Sequence, residues 1–198
     1  MENFEHLYEE CTALLPEKRK AKAEKLINKN SALLSATAGL MMKRVLGIND
    51  DGMLQYNEHG KPFFEHGPFF SISHSRRYSV LAVSENEIGI DIEMHENPRE
   101  SLINRCFNEE EQVFAKLSTE NFLRIWTAKE AVLKFLGTGF SLTPKSFSVL
   151  PLDSEHEING GKIRFFCGKI GEAPITAAFS GNDDNFEIRE FLPEDLIY

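Results

Sequence analysis

The sequence has few cysteines and no long apolar run. Its three cysteines, Cys11, Cys106 and Cys167, are odd in number, widely spaced and without Cys-x-x-Cys pairs. This pattern disfavours a disulfide framework or a zinc site and is typical of a reducing compartment. No apolar stretch approaches the length of a membrane span, and the first residues lack the basic start and apolar run of a signal peptide. From these absences we expect a cytoplasmic protein that does not span a membrane.

Positive charge is also scarce. The chain has 22 Lys and Arg against 31 Asp and Glu, a formal net charge of −9, which argues against general binding of nucleic acid. The segment 17–25 is an exception to this scarcity, because it contains five cations: Lys18, Arg19, Lys20, Lys22 and Lys25. This cluster is either a solvated helix face or a surface that receives phosphate or an acidic partner.

What the sequence does have is enough apolar content for a sizeable core. With 198 residues, 41% of them hydrophobic and 16 of them Phe, we expect a globular protein. In the first half the patterns predict helices and then strands: helices at 16–27 and 31–46, and strands at 53–56, 69–73, 78–84 and 88–93.

The second half repeats this order. Helices are predicted at 98–106, 108–117 and 121–136, and strands at 147–150, 162–167, 175–180 and 186–191. The repeated order predicts an α+β fold of two similar halves, residues 1–88 and 89–198, in a pseudo-twofold arrangement. Pockets commonly form where such units meet, so we expect the active site between them.

The last strand of the first group carries paired carboxylates. In Ile88-Gly89-Ile90-Asp91-Ile92-Glu93, the branched residues alternate with the others, so Asp91 and Glu93 point to the same face. Two neighbouring carboxylates repel each other unless they are exposed or lie opposite a cation. A hard ion such as Mg²⁺ suits them, although Asp-x-Glu alone is more often an exposed strand face.

A second motif lies about forty residues further on, in Trp126-Thr127-Ala128-Lys129-Glu130-Ala131-Val132-Leu133-Lys134. The segment contains no Gly or Pro, and Trp126, Glu130 and Leu133 recur at helical spacing. Lys134 follows Glu130 by four residues, the spacing of a helical ion pair. On its own this motif favours a solvated helix. Together with the Asp91 strand it strengthens the case for a metal site.

Together the two motifs resemble the paired signature of the 4'-phosphopantetheinyl transferases, in particular the monomeric surfactin-synthetase-activating (Sfp) type, a pseudo-dimer. Four intervening segments resemble the landmarks of that family in the right order: Gly60-Lys61-Pro62-Phe63, Phe70-Ser71-Ile72-Ser73-His74-Ser75, Phe107-Asn108-Glu109-Glu110-Glu111 and Phe147-Ser148-Val149. The similarity covers residues 60 to 150. The segment 30–34 lacks the arginine that many relatives carry for the nucleotide end of coenzyme A.

The resemblance implies Mg²⁺-dependent transfer of the phosphopantetheine arm of coenzyme A to a serine of an apo acyl, peptidyl or aryl carrier protein, with release of adenosine 3',5'-bisphosphate. It assigns the metal to Asp91, Glu93 and Glu130, and phosphate binding to a further set of residues: Lys61, Ser73, His74, Lys129 and Lys134. Lys129 would bind phosphate or instead brace Glu130, because adjacent helical residues point about 100° apart. Glu130 and Lys134 would act in catalysis. The serine proton would pass to Glu111, Glu130 or a metal-bound water.

Other interpretations remain open on the residues alone. His74 could be a core or turn histidine, or the base of a Ser-His hydrolase, although no Gly-x-Ser-x-Gly motif accompanies it. The same carboxylates could serve another Mg²⁺-dependent phosphohydrolase or a nuclease. A non-catalytic module that binds coenzyme A or a carrier protein is the third class, and it would not need all three carboxylates.

Overall fold

The computed structural model describes residues 2–94, 100–181 and 185–197. Helices are numbered in chain order: α1 Glu2–Ala13, α2 Glu17–Glu24, α3 Lys29–Leu46, α4 Glu100–Cys106, α5 Glu109–Ala115, α6 Thr119–Leu136 and α7 Pro193–Ile197. The strands are β1 Gln55–Tyr56, β2 Pro62–Phe63, β3 Phe69–Ser75, β4 Tyr78–Ser84, β5 Ile88–Ile92, β6 His156–Ile158, β7 Gly161–Ile170 and β8 Ala173–Phe179. Turns of 3-10 helix lie at Asp51–Met53, Gly139–Ser141 and Pro144–Ser146. None of the helices described reaches the combination of length and apolarity that a bilayer span requires.

Antiparallel pairing organises the strands. β1 pairs with β2, β3 pairs with β4, and a four-stranded sheet has the order β5-β8-β7-β6. In that sheet Asp91 lies opposite Thr176, and Thr176 lies opposite Cys167. Residues directly opposite on neighbouring strands share a face, so these three side chains form one row across the sheet.

The two long helices are built alike. Each has 18 residues, and each begins with a side-chain cap, Asn28 accepting from the Ser31 amide in α3 and Ser118 from the Asn121 amide in α6. Each helix ends at a glycine with positive φ, Gly47 or Gly137. α3 packs on the β3–β4 hairpin, and α6 packs on β5 and β8. The α+β class is therefore confirmed, with a long helix on antiparallel strands in each half; the division at residues 88 and 89 stays a prediction.

The largest core cluster surrounds α6. It includes Phe107, Phe122, Ile125, Val132 and Ile163, each at most 1% exposed. A second cluster joins α1, α3 and α7 near the two ends of the chain. The first cluster fixes α6 against the sheet, and that helix carries the second sequence motif.

Several boundaries differ from the sequence predictions. The strands expected at 147–150 and 186–191 are wrong. At the first, the amide of Val149 donates to the Glu111 side chain instead of to a neighbouring strand. The second is exposed along most of its length: Phe186 packs against the rings of Phe166 and Phe179, whereas Ile188 is 70% exposed, so its alternating apolar residues do not bury one strand face. The expected helix at 98–106 begins within the segment 95–99, which lies outside the described residues, and is seen from Glu100.

Candidate active site

Strand β5 presents the first carboxylates beside three serines of β3. The hydroxyl of Ser73 donates to Oδ1 of Asp91 at 2.7 Å, and the hydroxyl of Ser75 donates to Glu93. The hydroxyl of Ser71 accepts from the Ile90 amide at 3.0 Å. Alternation along β3 places the three hydroxyls on one face, so they connect β3 to β5 through side chains.

Helix α6 crosses β5 at Gly89. A Cβ added there would lie 2.0 Å from the Ala131 carbonyl oxygen and 2.3 Å from the Phe135 amide nitrogen. Only a residue without a side chain permits this approach. The close contact brings Lys134 Nζ to 2.7 Å from Asp91 Oδ1. Glu130 lies one helical turn before Lys134 and therefore on the same side of α6.

The charges at this crossing are unbalanced. Burial raises the pKa of Asp91, whereas the charge and hydrogen bond of Lys134 and the hydrogen bond of Ser73 lower it. Burial, and next the charge of Asp91, raise the pKa of Glu130 to about 7. Glu93 adds to the repulsion on both carboxylates. The three carboxylates therefore favour an added cation beyond Lys134.

The donor chemistry of this cluster fits Mg²⁺, since the ion takes carboxylate oxygens and keeps several waters or phosphate oxygens. Within residues 2–94, 100–181 and 185–197, however, no three or more His, Cys, Asp or Glu side chains converge closely enough to hold a metal. One Asp91 oxygen is bound by Lys134 and Ser73. The carboxylates would have to exchange these contacts for the ion.

Glu111 and Lys129 form a separate buried pair. Glu111 Oε2 lies 2.8 Å from Lys129 Nζ, and both side chains are 0% exposed. Glu111 also accepts from the amides of Asn108, in a capping box, and Val149, both within 2.9 Å.

The ammonium of Lys129 has further partners in the interior. It donates to the Pro144 carbonyl at 2.8 Å and to the Phe147 carbonyl, and it lies 4.4 Å from the centre of the Phe147 ring. Burial lowers the pKa of Lys129, and the hydrogen bond with Glu111 raises it. The structure thus joins Glu111 and Lys129 to each other and to the segment 144–149, and their charged groups are already bound.

The remaining candidate residues lie on β3 or near the C-terminal end of α6. Lys61 Nζ contacts Glu87 at 2.8 Å and the Phe135 carbonyl at 3.0 Å. His74 is exposed on β3, and its pKa is lowered by partial loss of solvent, by the charge of Lys134 and, more weakly, by that of Lys22. Each of the two lysines is therefore close enough to His74 for its charge to act on the imidazole. One phosphate-bearing ligand would find two cations, Lys134 and Lys22, and a neutral imidazole in this region.

Comparison with known proteins identifies the family of this chain. A model of the 4'-phosphopantetheinyl transferase superfamily matches residues 87–178, which include β5, α6 and most of β8. A 4'-phosphopantetheinyl transferase of Bacillus subtilis is 32% identical over 156 residues, covering 73% of this chain and 69% of that protein. The chain belongs to the 4'-phosphopantetheinyl transferase superfamily.

Two further relatives indicate the branch of the superfamily. The 4'-phosphopantetheinyl transferase gsp of Aneurinibacillus migulanus is 28% identical over 152 residues, covering 72% of this chain and 64% of that protein. The Sfp transferase of Bacillus subtilis strain 168 is 32% identical over 146 residues, covering 68% of this chain and 65% of that protein. The match thus spans about two thirds of the length of these phosphopantetheinyl transferases.

Sequence reasoning missed two features of this superfamily member. The hydroxyls of Ser71 and Ser75 hold β3 to β5, and the alternation of serine at 71, 73 and 75 was the available signal. Thr127 of α6 bonds Thr176 of β8 at 2.9 Å inside the sheet–helix interface. No pattern in the sequence connects residues so far apart.

Proposed function

We propose that the protein transfers the 4'-phosphopantetheine arm of coenzyme A to a serine hydroxyl of an apo carrier protein. The observation that carries this proposal is the crossing of β5 and α6. Asp91 is bonded there to Lys134, and the charges of Asp91 and Glu93 act on Glu130, whose pKa is raised, in a member of the superfamily. The same crossing is expected to require Mg²⁺ and to release adenosine 3',5'-bisphosphate.

The bonds that change are few. A P–O bond forms between the serine oxygen and the β-phosphorus of coenzyme A, the P–O bond to adenosine 3',5'-bisphosphate breaks, and the serine loses a proton. Asp91, Glu93 and Glu130 would hold Mg²⁺, which when bound neutralises charge on the pyrophosphate. Lys134 would bind phosphate oxygens from the other side, because it is a half-buried cation already placed at the carboxylates.

Glu130 is our candidate for the proton acceptor. The pKa of about 7 holds for Glu130 without a bound cation. Mg²⁺ on the same carboxylate would lower it, so the oxygen that accepts the proton has to be the one that does not bind the ion. Glu111 is the less suitable proton acceptor, because both of its oxygens are bound in the interior by backbone amides or by Lys129. We accordingly assign Glu111 and Lys129 to positioning: they tie α6 to the segment 144–149 and hold Glu130 in place.

His74, Lys61 and Ser73 complete the proposed phosphate site. His74 lies within electrostatic range of Lys134 and Lys22, which supports a grouping of cations for the nucleotide phosphates. Lys22 of α2 is a partial replacement for the arginine missing from residues 30–34. Lys61 would have to give up its contact with Glu87 to bind phosphate, and Ser73 would keep Asp91 oriented.

One assay tests the proposal. The purified protein is incubated with coenzyme A, Mg²⁺ and apo acyl, peptidyl and aryl carrier proteins, and each carrier is then weighed by mass spectrometry. A gain of one phosphopantetheine is expected, with one adenosine 3',5'-bisphosphate released per carrier. Hydrolysis of coenzyme A without carrier modification would favour a phosphohydrolase, and binding without turnover would favour a non-catalytic module.

Site variants locate the chemistry. Asp91→Ala is expected to slow transfer by at least about a hundredfold, and Lys134→Ala to weaken coenzyme A binding measured by calorimetry. Glu110→Gln is the matched control, because it removes an exposed carboxylate from neighbouring α5. Normal transfer by folded Asp91→Ala at limiting Mg²⁺ would contradict the metal assignment. Native mass spectrometry of the same samples tests the expected monomer.

A further inference from the structure

A small cleft lies beside the proposed active site and belongs to none of the assigned residues. Its volume is about 230 Å³, and it opens between the first half of α6 and the adjoining ends of β7 and β8. The side chains that carry its chemistry are Glu120, Arg124, Cys167, Lys169 and Thr176.

The strand register places this cleft close to the carboxylates. Cys167, Thr176 and Asp91 lie in one row across three strands, so the α-carbons of Cys167 and Asp91 are roughly 10 Å apart. The bond between Thr127 and Thr176 shows that the row faces α6. The amide of Glu93 also donates to the carbonyl of Pro174, which lines the cleft. Cleft and carboxylates therefore share one end of the sheet and one face.

Arg124 is the unsatisfied group of the cleft. It is half-buried, and its guanidinium has no hydrogen bond or ion pair with any residue in the described parts of the chain. Lys169 makes the direct contact with Glu120 at 2.8 Å and is the larger cause of the lowered pKa of Glu120, to which the charge of Arg124 also contributes. Burial raises the pKa of Cys167, so its thiol stays neutral and gives Arg124 no counter-ion. A half-buried guanidinium of this kind gains most from a carboxylate, which it can bind through two parallel hydrogen bonds.

We propose that this cleft receives a carboxylate side chain of the carrier protein and that Arg124 binds it. The inference rests on the proposed function, since it names how the carrier is held at the same site. Distance favours a carrier residue near the acceptor serine, because about seven residues of helix or three extended residues span the 10 Å between cleft and carboxylates. Coenzyme A is the poorer occupant, since the cations near Lys134 lie on the opposite, β3 side of β5. A net charge of −9 repels an acidic partner, so a local cation has to anchor it.

Binding measurements with an unreactive carrier test this directly. The apo carrier that the wild-type chain modifies fastest is prepared with its acceptor serine replaced by alanine and titrated calorimetrically into wild type, Arg124→Gln and Arg124→Lys. We expect the dissociation constant for the carrier to rise roughly tenfold in Arg124→Gln and to recover in part in Arg124→Lys. The dissociation constant for coenzyme A should change less than about twofold. Arg44→Gln, at an exposed position of α3, controls for the change of net charge.

Cys167 gives a second measurement that does not alter Arg124. A methanethiosulfonate reagent bearing a sulfonate forms a disulfide with this exposed thiol and releases its sulfinate, placing an anion beside Arg124. Labelled wild type should bind the carrier as weakly as Arg124→Gln, whereas Cys167→Ser treated in the same way should bind it normally. The two other thiols, Cys11 and Cys106, are buried and are expected to stay unlabelled.

The outcomes separate this inference from the function on which it rests. If wild type modifies the carrier while Arg124→Gln and labelled Cys167 both bind it with unchanged affinity, the cleft is not the docking site and the inference is overturned. If wild type modifies and binds no carrier, both proposals fail. A charge reversal locates the contact. Arg124→Glu should bind the carrier more weakly than wild type does, and the affinity should return with the carrier variant in which the contacting acidic residue is changed to Arg.

Discussion

Replacing Gly89 by alanine should separate α6 from β5. The added methyl would lie 2.0 Å from the Ala131 carbonyl oxygen, 2.3 Å from the Phe135 nitrogen and 2.9 Å from the Phe135 α-carbon. All three are backbone atoms of α6, so no side chain can rotate away. Real Cβ contacts essentially never fall below 3.0 Å, and the helix must therefore retreat by at least about 1 Å.

Overpacking of this kind costs about 1 to 3 kcal/mol, and sometimes more. For a chain of this length that corresponds to a fall in Tm of roughly 2 to 12 °C. The same movement would lengthen the 2.7 Å contact between Lys134 and Asp91. We therefore expect transfer activity to fall more steeply than stability, because α6 carries Glu130 and Lys134 away from β5 as it retreats.

Calorimetric unfolding of Gly89→Ala beside Gly161→Ala measures the effect. Gly161 has only one neighbour for an added Cβ, the Ile158 carbonyl at an ordinary 3.7 Å, so its replacement should be neutral or slightly stabilising through the unfolded chain. If Gly89→Ala unfolds at the wild-type temperature and keeps its activity, α6 does not lie against β5 as described, and the geometry of the proposed site is wrong.

Three further predictions concern ionisable groups. Because the pKa of Glu130 rises from 4.5 to about 7 on folding, its contribution to stability is present below pH 4.5 and lost as pH rises through 7. In the presence of a chelator, the free energy of unfolding of Glu130→Gln in urea should therefore exceed that of wild type by about 1 to 3 kcal/mol between pH 5 and 8. A difference that does not change with pH would contradict the burial of Glu130. Lys129→Met should lower the free energy of unfolding by about 3 to 5 kcal/mol, because it leaves the buried Glu111 carboxylate without its counter-ion. The double variant with Glu111→Leu should recover part of that loss. Additive losses would mean that the two residues are not coupled. A thiol reagent should label Cys167 alone in the native protein, and a second thiol labelled at the same rate would show that Cys11 or the other core thiol is accessible.

Periodicity predicted the central elements well, because tertiary packing and local pattern agree there. The β5 strand is buried at all five positions, and α6 keeps an apolar face over its whole length. The same reasoning could have found α1, where Leu7, Tyr8 and Cys11 recur at helical spacing and pack on α3. It failed at 147–150, where a buried carboxylate of α5 takes the amide of Val149 that a strand partner would have bound.

The candidate site was predictable as a set of residues but not as a set of contacts. The two motifs lie about forty residues apart, and the contact between Asp91 and Lys134 depends on the absence of a side chain at Gly89. The spacing of Glu130 and Lys134 suggested an ion pair between them, whereas Lys134 bonds Asp91. Local spacing shows which residues share a helix face, and the strand beneath that face decides which of them pair.

Rotation about α6 explains why neighbouring members of one motif have different environments. Consecutive helical residues point about 100° apart, so Lys129 and Glu130 cannot face the same surroundings. Lys129 turns to the interior and is fully buried with Glu111, whereas Glu130 turns toward Asp91. A buried ion pair contributes little net stability over a well-packed apolar pair, so stability alone gives no reason for Lys129 and Glu111 to be charged. The geometry of the pair gives a better reason for the charges. Four directed hydrogen bonds from the pair to residues 108, 144, 147 and 149 fix the angle of α6, and that angle sets where Glu130 meets β5.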